Sequence, residues 1–471
     1  MSAADIDSGF DLAATRGGPD EISRRLESLP ASSYLWRLVI LLSLGGWFEV
    51  YDLFFTGYIA PGLTRSGLLT TTTQAFFGFS GIGAFVAATF AGLFVGTFFL
   101  GFLADRFGRR SIFTYALLGY TAASVAMACQ TTSEGVLLWR FIAGIGIGVE
   151  IIITIDAYIT ELVPSWMRGR AFAINQAVMF TAVPVVAALS WWLVPLSPYG
   201  IDGWRWVVLI GAAGSMVIWI LRLYVPESPL WLARNGRTEE AVKILRTLEA
   251  SAGSAIPRPS KMPDALPARA AAKAGYAELF KPPYLSLVAL FMIFNFCQAF
   301  GVYGFANWVP ALLVEKGITV TKSLQYSFII AFAYPIAPLL AASFADRLER
   351  KWIICGAAAA IALFGMAFSQ LAEPALLILC GVLITAANMT MSYAYHAYQT
   401  EVFPTSIRAR ASGLVYSMSR ISATFSGFIV AYVLREAGVT GVFGLITTAM
   451  IIVIVTIATF GPNVRGKPLD A

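Results

Sequence analysis

The sequence predicts an all-α membrane protein, with twelve transmembrane helices in two pseudo-symmetric six-helix bundles. Three observations carry that expectation. Hydrophobic residues make up 58% of the 471-residue chain and charged residues 13%, with a mean hydropathy of +0.72. A soluble domain is roughly a quarter charged. Second, Glu161-Leu-Val-Pro164-Ser-Trp-Met-Arg168-Gly-Arg170 returns 240 residues later as Glu401-Val-Phe-Pro404-Thr-Ser-Ile-Arg408-Ala-Arg410. Asp105-Arg106-Phe-Gly-Arg109-Arg110 returns 241 residues later as Asp346-Arg347-Leu-Glu-Arg350-Lys351. Two separate signatures at one spacing imply two related halves, the way many secondary transporters are built. Third, windows of about 20 apolar residues, each the length of one membrane helix, fall at 35–59, 82–103, 112–130, 135–161, 171–195 and 204–225. Six more fall at 285–314, 325–345, 352–370, 374–400, 411–434 and 440–461.

The remaining segments follow in order. Residues 1–34 carry Asp5, Asp7, Asp11 and Asp20 before any apolar run, which is not the pattern of a signal peptide. They read as a disordered cytoplasmic tail. The first bundle spans 35–225 and the second 285–461, with a second cytoplasmic tail at 462–471. The linker at 226–284 contains an amphipathic helix from Thr238 to Ala250, and its Pro/Ala/Lys-rich centre, 256–273, reads as disordered. With both termini inside, cytoplasmic segments hold 25 of the 33 Lys and Arg residues. The outer loops hold Arg65, Arg205, Lys316, Lys322 and Arg435, so the positive-inside rule places both ends in the cytoplasm.

The net charge of +6 is spread over short loops, so it reports topology and not nucleic-acid binding. The four cysteines all lie in apolar runs without metal-ligand spacing and read as buried thiols. Gly144-Ile-Gly146-Ile-Gly148 sits inside a span, where close helix packing explains it better than a nucleotide loop. One histidine and no Cys/His grouping argue against an enzyme. No cofactor is expected, and the expected partners are a small-molecule substrate, protons and lipid, with the chain a monomer.

With those residues in view, the chain resembles the major facilitator superfamily, in its sugar-porter-like and organic-ion group, over nearly all of 35–470. Gly101-Phe-Leu-Ala-Asp105-Arg106-Phe-Gly108-Arg109-Arg110 is similar to the signature between its second and third helices. Pro226-Glu227-Ser-Pro229-Leu-Trp231-Leu is similar to the motif after its sixth, and Arg465-Gly466-Lys467-Pro-Leu469 to the one after its twelfth. The resemblance implies alternating access to a pocket between the halves. Asp105, Arg106, Arg109, Glu161, Arg168, Glu227, Asp346, Glu401 and Arg408 are then expected at a cytoplasmic gate, pairing across the halves when that side is closed. The alternative is surface ion pairs worth at most about 1 kcal/mol each.

Ionisable residues inside spans are costly, on the order of 3 kcal/mol, and therefore informative. Glu49 and Asp52 lie in the first span, Arg140, Glu150 and Asp156 in the fourth, His396 in the tenth and Arg420 in the eleventh. The resemblance implies that Asp52 and Arg140 form a proton-coupling pair; Glu49 and Glu150, as further acids inside the same spans, are expected to take part in it. A carboxylate next to a guanidinium stays ionised, and one released into an apolar cavity takes up a proton. A static structural pair is the alternative.

Arg420 lies 19 residues past Glu401, the distance at which organic-anion members of the superfamily carry an arginine. It is expected either to hold a substrate carboxylate or to pair with an acid of the first or fourth span. The seventh span, Cys297-Gln298-Ala-Phe-Gly301-Val-Tyr303, resembles the sugar-porter pattern Gln-Gln-x-x-Gly-x-Asn, with Cys297 and Tyr303 as departures that weaken a hexose reading. Gln298, Tyr303, Trp308, Tyr393, His396 and Gln176 complete the expected substrate site, with interhelical packing or lipid contact as the alternative for each. The reading is a proton-coupled symporter of a small, flat organic acid in a bacterial inner membrane, with a sugar, polyol or organic-cation transporter of the same fold as the alternative.

Overall fold

The computed structural model describes residues 19–71, 78, 81–100, 106, 107, 109–151, 155–222, 225–251, 276–282, 284–345, 348–403 and 407–463. A short helix, α1 (Pro19–Glu27), precedes the bundles. The first half comprises α2 (Ser33–Tyr58), α3 (Ala60–Arg65), α4 (Ile82–Leu100), α5 (Arg109–Ala128), α6 (Ser133–Ile151), α7 (Ile155–Leu162), α8 (Ser165–Phe180), α9 (Ala182–Leu193) and α10 (Gly203–Arg222). Linking the halves are α11 (Pro229–Arg234), α12 (Thr238–Ser251) and α13 (Tyr276–Leu279). The second half comprises α14 (Tyr284–Ala306), α15 (Val309–Glu315), α16 (Val320–Ala331), α17 (Ala333–Ala345), α18 (Arg350–Gln370), α19 (Pro374–Val402) and α20 (Arg408–Phe460).

Among the described residues, eight helical runs are long and apolar enough to cross a bilayer. The last, α20, crosses twice. It breaks at Gly438, where φ is 62° and ψ −164°, a conformation open essentially to glycine alone. Val430 and Ile446 consequently both meet Gly304. With α5, α6 and α10, of 20, 19 and 20 residues, the passes number twelve, each near 30 Å at about 1.5 Å per residue.

Two of the spans are broken in matching places. Pro184 and Pro335 each lack the amide that would bond back four residues, and the chain divides there into α8/α9 and α16/α17. These broken spans face each other across the halves: α8 packs on α17 and α9 on α16. Trp191 stacks on Phe328 at 5.7 Å between ring centroids, and Phe180 on Tyr334 at 6.1 Å. The other large contact between halves joins α4 and α20, where Gly83 and Gly427 meet backbone to backbone. A Cβ on Gly83 would stand 2.7 Å from the Gly427 carbonyl oxygen.

The bundle has a proximal face, at which α2 begins, and a distal face, at which it ends. Gly57, near the distal end of α2, lies so close to Asn307 that a Cβ there would be 2.5 Å from the Asn307 carbonyl oxygen. Together with Gly83 on the first turn of α4, this closes the two halves onto each other distally.

The glycine run pairs spans within the first half, as its spacing predicts. A Cβ on Gly144 would come within 2.4 Å of the Thr89 carbonyl oxygen, and one on Gly148 within 2.3 Å of that of Leu93. Helices α4 and α6 therefore touch through their backbones.

One expectation needs correction. Residues 1–34 read as a disordered tail, yet Pro19–Glu27 is helical and buries Ile22, Leu26 and the following Leu29 against Trp231, Leu232, Leu245 and Leu248 of the linker helices. The apolar spacing of one and two turns supplies a face, and the linker supplies the surface that covers it. Arg25 donates to Glu249 through Nε (2.9 Å) and Nη2 (2.7 Å), and that carboxylate raises the Arg25 guanidinium above its usual range. The linker helix itself, Thr238–Ser251, matches the expected Thr238–Ala250, while 256–273 lies outside the described residues.

Candidate transport site

The close approach of α4 and α6 sets the geometry around Arg140. Thr89 lies on the α4 face that touches α6, and its hydroxyl accepts from Arg140 Nε at 2.9 Å. From α2, Asp52 Oδ1 accepts from Nη1 at 2.5 Å, while the Asp52 carbonyl and the Thr56 hydroxyl accept from Nη2 at 2.8 and 2.5 Å. The guanidinium lies over the Phe55 ring at 4.5 Å. From α5, Ser124 donates to Asp52 Oδ2 at 2.8 Å. Arg140 is 0% exposed and Asp52 4%, so the pair is sealed from solvent, charge-balanced and hydrogen-bonded along both edges. Burial of this kind is tolerable only with such complete partnering. Glu49, one turn nearer the proximal face, is fully buried too. The side chains of Glu150 and Asp156 lie outside the described residues.

Arg420, on α20 in the second half, is built differently. It is 3% exposed, and its donors meet phenols: Nη1 donates to Tyr303 Oη at 2.8 Å and Nη2 to Tyr416 Oη at 3.2 Å. The guanidinium also lies over the Tyr416 ring, 4.9 Å from its centroid. Its Nε is buried with no hydrogen-bond partner among the described residues, and no carboxylate there lies within 4 Å. Of the acids expected as its alternative partners, Asp52 of the first span is held by Arg140, and the side chains of Glu150 and Asp156 of the fourth lie outside the described residues.

His396 of α19 stands on the other side of Tyr416, with ring centroids 5.6 Å apart. Its Nδ1 is 2.7 Å from the Ser392 carbonyl, which can only accept, so Nδ1 carries the proton and Nε2 offers a lone pair. The side chain is exposed. Tyr303 also reaches the other half, its ring 4.4 Å from that of Phe90 on α4. Arg420, Tyr303 and His396 thus converge, and Tyr416, absent from the expected set, joins them. Its place one turn before Arg420 is the signal that would have found it.

The other expected substrate residues are more scattered. Gln298 and Tyr393 lie on the helices that carry Tyr303 and His396, the former buried and the latter half-buried. Gln176 is exposed on α8. Trp308 is fully buried at the junction of α14 and α15, a packing position near the distal end.

Among the gate residues, Arg168 donates to Glu27 of α1 at 2.9 Å and to the Val163 carbonyl at 3.0 Å. Glu401 faces Arg350 at 3.6 Å. Neither of these pairs crosses the halves, and pairing across them is expected only with the cytoplasmic side closed. Glu227 accepts from the Ser228 amide at 3.0 Å, Glu161 is half-buried on α7 and Arg106 is exposed. Asp105, Asp346 and the side chains of Arg109 and Arg408 lie outside the described residues.

The twelve-pass, two-half bundle is the fold of a major facilitator transporter. The chain belongs to the family described as Sugar (and other) transporter, whose sequence profile matches residues 38–471. It is 26% identical over 452 residues to the niacin transporter NiaP of Acinetobacter baylyi, covering 96% of this chain and 99% of that one. It is 27% identical over 468 residues to the inner membrane metabolite transport protein YdjE of Escherichia coli, covering 96% and 98%. Among solved structures, it superposes on the partially occluded inward-open xylose transporter XylE of E. coli with a TM-score of 0.74, at 21% identity over 93% of this chain and all of that one. The protein is a multi-pass membrane transporter.

Proposed function

We propose that the chain is a proton-coupled symporter that takes up a small organic anion, an aromatic or heterocyclic carboxylate, by alternating access. One observation carries the reading: Arg420 is buried, has no acidic partner among the described residues and keeps Nε undonated. Guanidinium charge is matched inside proteins by carboxylate or phosphate, and a bidentate carboxylate fits its edge. The rings of Tyr303, Tyr416 and His396 around it suit a flat cargo. Niacin, a pyridine carboxylate named for the Acinetobacter relative, has that chemistry.

Asp52 and Arg140 serve as the coupling pair. While Arg140 grips Asp52, the carboxylate holds its charge; when the halves rock and the grip loosens, the carboxylate accepts a proton. Cargo binding at Arg420 and protonation at Asp52 then bias the same two-state equilibrium. The proximal face is cytoplasmic, and the family's gate residues, Arg168 and Glu401 among them, adjust the proximal closure.

A thermal-shift panel of organic acids, sugars and amines tests the cargo class. An acid at about 100-fold its Kd stabilises by about 2.7 kcal/mol, and that shift is expected to vanish in Arg420→Ala. A shift with sugars or amines alone, or one retained in Arg420→Ala, would remove the anion reading.

A further inference from the structure

Beside Asp52 lies a cavity of about 10 Å³, the room that one water molecule needs. Its lining comes entirely from the first half, from α2, α5 and α10. Asp52 and Ser124 border it, joined by the 2.8 Å hydrogen bond to Oδ2. Thr121, one turn before Ser124, is only 4% exposed, and its Oγ1 is buried with no hydrogen-bond partner among the described residues. Ser215 of α10 completes the polar part of the wall, its hydroxyl donating to the Gly211 carbonyl at 2.9 Å. A buried hydroxyl without a partner on the wall of a cavity of this size, with a carboxylate and two more hydroxyls on the same wall, is a situation in which proteins hold ordered water.

The position matters as much as the size. Thr121 and Ser124 lie within two turns of the distal end of α5, and Gly211 two turns from the distal start of α10. The cavity is lined from the first half alone, whereas Arg420 belongs to the second; Asp52 Oδ1 is covered by Arg140 and Oδ2 is turned to Ser124. The titratable and charged groups around Asp52 are Arg140 from α6, Tyr120 from α5, and Tyr51 and Glu49 on α2 itself. From α10 comes the Ser215 hydroxyl, and from α4 the hydroxyl of Thr89, which reaches the pair through Arg140.

We propose that this cavity holds a relay water oriented by Thr121, and that protons reach Asp52 through that water and Ser124, by a route inside the first half separate from the path of the cargo. The inference rests on Asp52 being the proton carrier. An excess proton on the water passes to Ser124 Oγ as the Ser124 proton passes to Asp52 Oδ2. The O–H bond at Ser124 that breaks is replaced from the water, and only the carboxyl gains a proton. Thr121 Oγ1 accepts from the water and orients it; Thr121 and Ser124 are positioning residues. The Arg140 grip decides when the carboxylate accepts, so the relay supplies protons without short-circuiting the cycle.

The test needs no cargo. Purified full-length protein in detergent is mixed from neutral to acidic pH in a stopped-flow instrument, and proton uptake is followed with a soluble pH dye. The phase missing in Asp52→Asn belongs to Asp52. Thr121→Val and Ser124→Ala are expected to keep the amplitude of that phase and to slow it about tenfold or more, a modest share of what a placed proton-transfer group supplies. Thr121→Ser, which restores the hydroxyl, is expected to keep the wild-type rate. A wild-type rate in Thr121→Val and Ser124→Ala overturns the relay. If one of the two fails to fold, as judged by its melting temperature, the other decides. Unchanged uptake in Asp52→Asn would instead overturn the assignment of Asp52 as carrier, a separate failure.

Discussion

The two halves each bury an arginine at a similar depth of isolation from water, and they treat it in opposite ways. Arg140 spends its donors on a carboxylate, two threonine hydroxyls and a backbone carbonyl. Arg420 spends its donors on two phenols and holds one back. A phenol accepts a hydrogen bond but brings no negative charge, so among the described residues Arg420 has no counter-ion of the kind that Asp52 provides for Arg140. Under the proposed function, the paired site suits a group that is released and regripped, and the site without an acid among the described residues suits one whose counter-ion is the cargo.

The sharpest test of that contrast is stability. Arg140→Ala leaves Asp52 buried without its partner, and such losses run to about 3–5 kcal/mol; a markedly lower melting temperature is expected in the ligand-free protein. Arg420→Ala removes a buried charge that has no acidic partner among the described residues, so the ligand-free melting temperature should hold or rise. Equal losses from both would erase the distinction. Next in size is Tyr303→Phe, which withdraws one hydrogen bond to a charged group, worth about 1.5–3 kcal/mol. Cargo affinity should fall roughly tenfold in titration calorimetry, with the proton uptake of Asp52 unchanged. An effect on uptake would mean that the sites are not separable in the resting state. The smallest effect is expected at Glu249→Gln on the proximal face. Its pair with Arg25 is partly exposed and such pairs contribute about 1 kcal/mol or less, so neither melting temperature nor transport should move appreciably.

Much of the fold was legible in the sequence because it rests on repetition and hydropathy. The 240-residue offset fixed two halves, the windows fixed the passes, and the glycine run foretold the contact of α4 with α6. The pairing of Asp52 with Arg140 followed from resemblance. What escaped notice depends on contacts between distant segments. Thr56, Thr89 and Ser124 are ordinary residues for membrane helices, and nothing local marks them as the groups that hold the pair. Tyr416 lies one turn from Arg420 but was not among the expected residues. The tail failed for a different reason: Ile22, Leu26 and Leu29 make a helical stripe too short to stand alone, and its partner lies over 200 residues away in the linker.

The single glycine at which α20 reverses has a practical consequence. With Gly438 making the turn, the last two spans are joined without a separate loop, and any side chain at that position meets a forbidden backbone geometry. Reporter tags or cleavage sites meant to reveal sidedness belong in the longer distal connections, such as 194–202, and not at this hairpin tip, where an insertion would pry apart the pair that carries Arg420.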